Sequence, residues 1–228
     1  MKRCFFLLVV FSLFPKKSYS NQFVFNHQSK SIQSPLTETE LSHLNAEFSG
    51  SGYLRVKGMS LEGFSGPGLL KVYAAFSFME KVINSNDFKK RVIDFKNKKG
   101  ERRFESNKGL SNEEIYEIFM EGREVLQMDT PGEANLYLKL YDNPASRVIG
   151  YTSSKTNLIN INWKYFKNFE IHEVSANLTH EWTHKLGFGH TSAREHDSVP
   201  YALGYIVRDM VYRAMNQLSS PKGRTHLN

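Results

Sequence analysis

Apolar residues recur along this chain with two different periods, and the places where the period changes outline its elements. Leu69, Val72, Ala75, Phe76, Met79, Val82 and Ile83 return every three or four positions, which predicts a buried helix over residues 68–84. Residues 111–127 predict a second helix, with Ile115, Ile118, Phe119 and Val125 on its apolar stripe. Ser111 can cap it, and Glu114 three residues on completes a capping box. Leu136, Leu138 and Leu140 then alternate, so residues 134–142 read as a strand. Two more strands, 146–154 and 157–166, would form a hairpin around Ser153 to Thr156. A third helix spans about 171–186, with Val174, Leu178 and Leu186 facing inward. A fourth covers 202–218 through Ile206, Met210, Val211, Ala214 and Leu218. Residues 90–106 alternate weakly and break at Lys98-Lys99-Gly100, which predicts a strand or hairpin with a solvated, charged turn. The order helix, helix, strands, helix, helix gives an α+β domain with one small sheet.

The first 65 residues lack such periodicity. Met1, Lys2 and Arg3 make a basic start, and Cys4 to Phe14 is an apolar run too short for a bilayer, which needs about 20 residues. With small residues at Ser18 and Ser20, residues 1–20 read as a secretory signal, cleaved near Ser20-Asn21. Secreted or periplasmic export is expected, with no stable membrane anchor after cleavage. Residues 21–65 are polar and turn-rich, and read as an N-terminal extension or propeptide. Residues 66–228 would be the folded domain.

Composition changes the picture in two respects. Cys4 is the only cysteine and lies in the signal, so the exported chain would have no disulfide and would depend on packing alone. The formal charge is +7, and loss of Lys2, Arg3, Lys16 and Lys17 with the signal would leave +3. That is too mild to argue for nucleic acid.

Chemistry concentrates in the stretch "THEWTHKLGFGH", Thr179 to His190. His180 and His184 are four apart, so on a helix their imidazoles stack one turn from each other and can reach one ion. Glu181 is rotated about 100° from His180 and points beside that ion, where a general base acts on water. If the helix continued, His190 would lie about 240° round from His184 and about 9 Å further along. It can share the ion only if the helix stops, and Gly187 is suited to end it in the left-handed conformation. Gly189 adds freedom in the same loop, while Lys185 suits the negative end of the helix dipole. Three neutral histidines around Zn2+ leave one position open, the arrangement of catalytic rather than structural sites.

These residues resemble the metzincin metallopeptidases, whose signature is HExxHxxGxxH. The resemblance implies His180, His184 and His190 as zinc ligands, Glu181 as the catalytic base and Gly187 as the turn. It implies a metzincin-like fold: a small mixed twisted sheet whose edge strand binds substrate, an active-site helix and a C-terminal helix. "SRVIGYT", "NLININ" and "VSANLTHEWTH" follow that order. The family's methionine beneath the zinc is missing, because Pro200 stands where it is expected, with Tyr201 beside it. Pro200 would hold Val199 extended and form an apolar floor. Glu195, His196 and Asp197 read as a solvated loop, with a second metal site or a substrate contact as the alternatives, and Glu173 reads as a cap at the helix start.

The implied function is an exported, monomeric zinc endopeptidase acting on protein or peptide substrates with one catalytic ion. Two other readings fit the same ligands. One is an exported binding protein with a structural or vestigial zinc site. The other is a zinc hydrolase of non-protein amides.

Overall fold

The computed structural model describes residues 48–126, 131–190 and 195–219, together with Thr37, Thr39 and Ser42. The expected signal and most of the expected extension lie outside the described residues. The described elements run β1 (Arg55–Glu62), α1 (Gly66–Ile83), α2 (Asn86–Ile93), α3 (Asn112–Glu121), β2 (Glu133–Tyr141), β3 (Gly150–Tyr151), β4 (Leu158–Asn162), α4 (Trp163–Phe166), α5 (Ile171–Lys185) and α6 (Val199–Ser219). This is the expected α+β class with a small mixed sheet. No described helix is long and apolar enough to cross a membrane.

The sheet has the order β1-β2-β4-β3. β1 and β4 both pair parallel with β2, while β3 pairs antiparallel with β4 at the other edge. β1 falls within the stretch read as an extension, so the folded unit takes in residues ahead of Ser65. Gly58 in β1 makes room for α1, because a Cβ there would lie 2.8 Å from the Phe76 ring. Leu136, Leu138, Ile159 and Ile161 of the sheet are buried with Val72, Met79, Leu178, Trp182 and Val207 of the helices in one core.

The helices predicted at 68–84 and 171–186 are present as α1 and α5, and Val174, Leu178 and Leu186 are buried. α3 has the expected capping box, with the Ser111 hydroxyl accepting from the Glu114 amide and the Glu114 carboxylate from the Ser111 amide. It ends at Gly122, which is left-handed at φ 66°, so Val125 leaves the stripe and is exposed.

Elsewhere the structure departs from the expectation. The strand or hairpin expected over 90–106 is instead the helix α2 followed by a turn. Ser85 caps α2 by accepting from the Phe88 amide, and Phe88 and Val92, four apart, are both buried. The charged turn does form. The Asn97 side-chain oxygen accepts from the amides of Lys99 and Glu101 around a left-handed Gly100. The strand expected over 146–154 shrinks to Gly150–Tyr151. β4 stops at Asn162, whose side chain accepts from the Lys164 amide and caps the short turn α4. α6 starts at Val199, three residues early, so Val199 is helical rather than held extended, and Pro200 sits in the first turn where it costs no helix hydrogen bond.

Candidate metal centre

α5 carries the first two histidines on one face, as their spacing requires. Its end is a Schellman turn: the Gly187 amide donates to the His184 carbonyl at 3.0 Å and the Phe188 amide to the Thr183 carbonyl at 3.1 Å. Gly187 is left-handed at φ 91°, the conformation expected of it. The chain therefore folds back, and His190 returns to the helix. His190 Nε2 lies 3.2 Å from His180 Nε2, and His184 Nε2 lies 3.3 Å from it. One nitrogen from each ring lies within 4.8 Å of the others, close enough to hold one metal ion. Each of the three histidines is half-buried.

The rings are prepared for this. His184 Nδ1 lies 2.9 Å from the Phe188 carbonyl oxygen, so it carries the proton and leaves Nε2 bare. The His180 ring hydrogen-bonds the Pro200 backbone, which has only a carbonyl to offer, so His180 is the donor. Burial, followed by the neighbouring His184 and His190, pulls the His180 pKa down to about 3. His184 is also lowered, chiefly by burial. Both imidazoles are thus neutral at pH 7, the form that binds metal. The donor set fits Zn2+, which takes imidazole nitrogen readily.

Glu181 is 3% exposed. Burial raises its pKa to about 8, against hydrogen bonds from the Asn177 side chain and the Thr152 amide. Those two donors fix the carboxylate between α5 and the β3 edge. Gly150 permits the approach, because a Cβ there would stand 3.1 Å from Glu181 Oε1.

Tyr201 packs against the cluster, with its ring centroid 4.4 Å from that of His180 and 4.7 Å from that of His190. Tyr201 and Pro200 both lie in the first turn of α6, which brings that turn beside the cluster. Gly204 brings α6 close, since a Cβ there would lie 3.0 Å from the Ala176 carbonyl. Glu195 and Asp197 stand outside the histidine cluster. Glu195 accepts from the Ser106 hydroxyl and Asp197 from the Lys98 amide, so both tie loops together. His196 Nδ1 lies 2.9 Å from the Tyr205 hydroxyl. Glu173 caps α5, its carboxylate accepting from the Glu170 amide at 2.9 Å. Lys185 is not at a solvated helix end: it is 2% exposed and paired with Glu124.

Sequence reasoning missed four contributors: Asn177, Thr152 and the carbonyls of Phe188 and Pro200. Only Asn177 left a signal, since it lies four residues before Glu181 on the same helix face. Comparison with protein-family models, curated proteins and solved structures gave no match, so the functional reading rests on the site's own geometry.

Proposed function

We propose that this chain is an exported zinc-dependent endopeptidase, with His180, His184 and His190 holding the ion and Glu181 as the base. One observation carries the reading: three imidazole nitrogens converge within 4.8 Å, and the residue after the first of them is a buried carboxylate. Bound zinc would supply Lewis-acid polarisation of the scissile carbonyl and lower the pKa of water towards 7.

The remaining work falls to side chains of this protein. Glu181 takes a proton from the attacking water and returns it to the departing amine. Its pKa is raised by burial, and a dication held by the adjacent histidines would draw it back towards neutrality, the useful range for a base at physiological pH. Asn177 and the Thr152 amide orient the carboxylate. Among the described residues β3 is an edge strand of two residues beside Glu181, and an extended peptide can add to such an edge through its backbone. These features, with the order β3, β4, α5, support a metzincin-like peptidase.

Replacing Glu181 with Ala tests the reading. Zinc content should persist while hydrolysis of denatured casein disappears, and a chelator should abolish hydrolysis by the unaltered protein. Cleavage of a cell-wall amide but not casein would keep the centre and change the substrate class. A parent protein that binds zinc but hydrolyses neither substrate would favour a binding protein with a structural ion, and a Glu181→Ala protein as active as the parent would remove Glu181 as the base.

A further inference from the structure

Behind the metal centre lies a buried ion pair. Lys185 Nζ lies 2.6 Å from Glu124 Oε2, and each side chain is only 2% exposed. Surface pairs such as Lys90 with Asp94 and Arg102 with Glu113 leave both partners exposed. The other Glu124 oxygen accepts from Trp182 Nε1 at 3.0 Å. Trp182 is fully buried, with its ring edge-on to Phe119 at 4.8 Å. Lys185 also donates to the Asn135 carbonyl of β2 at 3.1 Å, and the Val125 amide donates to the Lys185 carbonyl at 2.9 Å. The segment after Gly122 therefore grips the last turn of α5 by side chain and by backbone.

The position of this grip matters. At 100° per residue, His184 lies about 40° round the helix from His180, whereas Lys185 and Trp182 lie about 140° and 200° round. The histidines occupy the front of α5, and both Glu124 partners occupy its back. Rotation of α5 about its axis sets where the imidazoles point, and Glu124 opposes that rotation. A buried ion pair is weak in net stability, because the cost of removing two charges from water offsets most of the attraction. Orientation is the use that remains.

We infer that Glu124 is a positioning residue for the metal centre: its carboxylate, held by Trp182 and Lys185, locks the rotation and end of α5 so that His180, His184 and His190 converge. This rests on the zinc reading above.

The test compares Glu124→Ala and Glu124→Gln with Val82→Ala, a core truncation in α1 that leaves Glu124, Trp182 and Lys185 unaltered. Each protein is loaded with zinc, and its release to a coloured chelator is timed. The visible spectrum of each Co2+-loaded protein reports ligand geometry. Glu124→Ala should release zinc at least ten-fold faster than the parent and shift the Co2+ bands. Glu124→Gln, which keeps an acceptor for Trp182, should release it at an intermediate rate. Val82→Ala should leave both readouts unchanged even where its melting temperature falls as far. If Glu124→Ala fails to fold, Glu124→Gln against Val82→Ala carries the comparison. Equal release from the Glu124 and Val82 variants overturns the inference alone. A parent protein that binds no zinc removes the metal reading and the inference together, whereas zinc bound without hydrolysis counts only against the peptidase.

Discussion

His184 Nδ1 hydrogen-bonds the carbonyl of Phe188, four residues later, across the turn that Gly187 makes. One local structure thus performs two tasks. It sends the chain back so that His190 reaches the cluster, and it supplies the acceptor that fixes the His184 tautomer with Nε2 free.

That coupling makes Gly187 sensitive. A Cβ there would sit 3.3 Å from Val125 Cγ2 and 3.4 Å from Lys108 Nζ, on a backbone at φ 91° that other residues rarely adopt. Gly187→Ala should cost about 1–2 kcal/mol in stability. It should also weaken zinc binding by more than the stability loss alone implies. Urea midpoints with zinc titrations check both, and unchanged zinc affinity would separate the turn from the site.

Gly150 is the matching point on the sheet edge. A Cβ there would lie 3.0 Å from Asn177 Oδ1, 3.1 Å from Glu181 Oε1 and 3.1 Å from the Asn160 carbonyl. Gly150→Ala should displace the base and not the ligands. The expected result is a fall of roughly 10–100-fold in kcat/KM with full zinc content, since misplacement of a catalytic group by about 1 Å can cost that much. Steady-state kinetics with metal analysis on the same sample decide it.

Asn177 donates to the Glu181 carboxylate and thereby holds its pKa below the value burial alone would give. Asn177→Ala removes that donor, so the Glu181 pKa should rise. The acid limb of the kcat/KM profile should move to higher pH, with little change on the alkaline side. An acid limb that stays in place would show that another group sets it.

The metal-free protein should have an unusual stability profile. His180 has a folded pKa of about 3 against 6.5 unfolded, so between those values the unfolded chain binds the extra proton and stability falls as pH falls. Glu181 has a folded pKa of about 8 against 4.5 unfolded, so across that range the folded chain binds the extra proton and stability falls as pH rises. The two slopes oppose between 4.5 and 6.5, with His180 governing the acid side and Glu181 the side from 6.5 to about 8. Each unopposed proton is worth about 1.4 kcal/mol per pH unit. Urea midpoints of metal-free protein at about pH 4, 5.5 and 8 should peak at the middle value, and added zinc should move the optimum upward because a nearby dication lowers the Glu181 pKa and weakens the alkaline slope. A peak at pH 8 without metal would contradict the Glu181 assignment, and a peak at pH 4 the His180 assignment.

The centre was legible in the sequence because its causes are local. Helical spacing set His180 and His184 together, and Gly187 ended the helix where His190 needed it to end. β1 was not legible: it is an edge strand whose exposed and half-buried positions do not alternate cleanly, and it is held by pairing with residues such as Glu133 and Ala134 far along the chain. α2 was misread because two buried residues, Phe88 and Val92, are its whole apolar stripe, amid charges that form i,i+4 pairs. Glu124 carried no signal at all. Its partner Trp182 is 58 residues away, and only the packed fold brings the carboxylate to the back of α5, opposite the histidines.

The peptidase reading requires that three imidazoles of this chain share one ion. Metal analysis with zinc K-edge absorption on the purified protein tests it most directly. The expected result is one zinc per chain, with nitrogen ligands at about 2.0–2.1 Å, and near-complete loss of that zinc in His190→Ala at equal folding. A purified, folded protein without stoichiometric metal, or a His190→Ala variant that keeps its zinc unchanged, would contradict it.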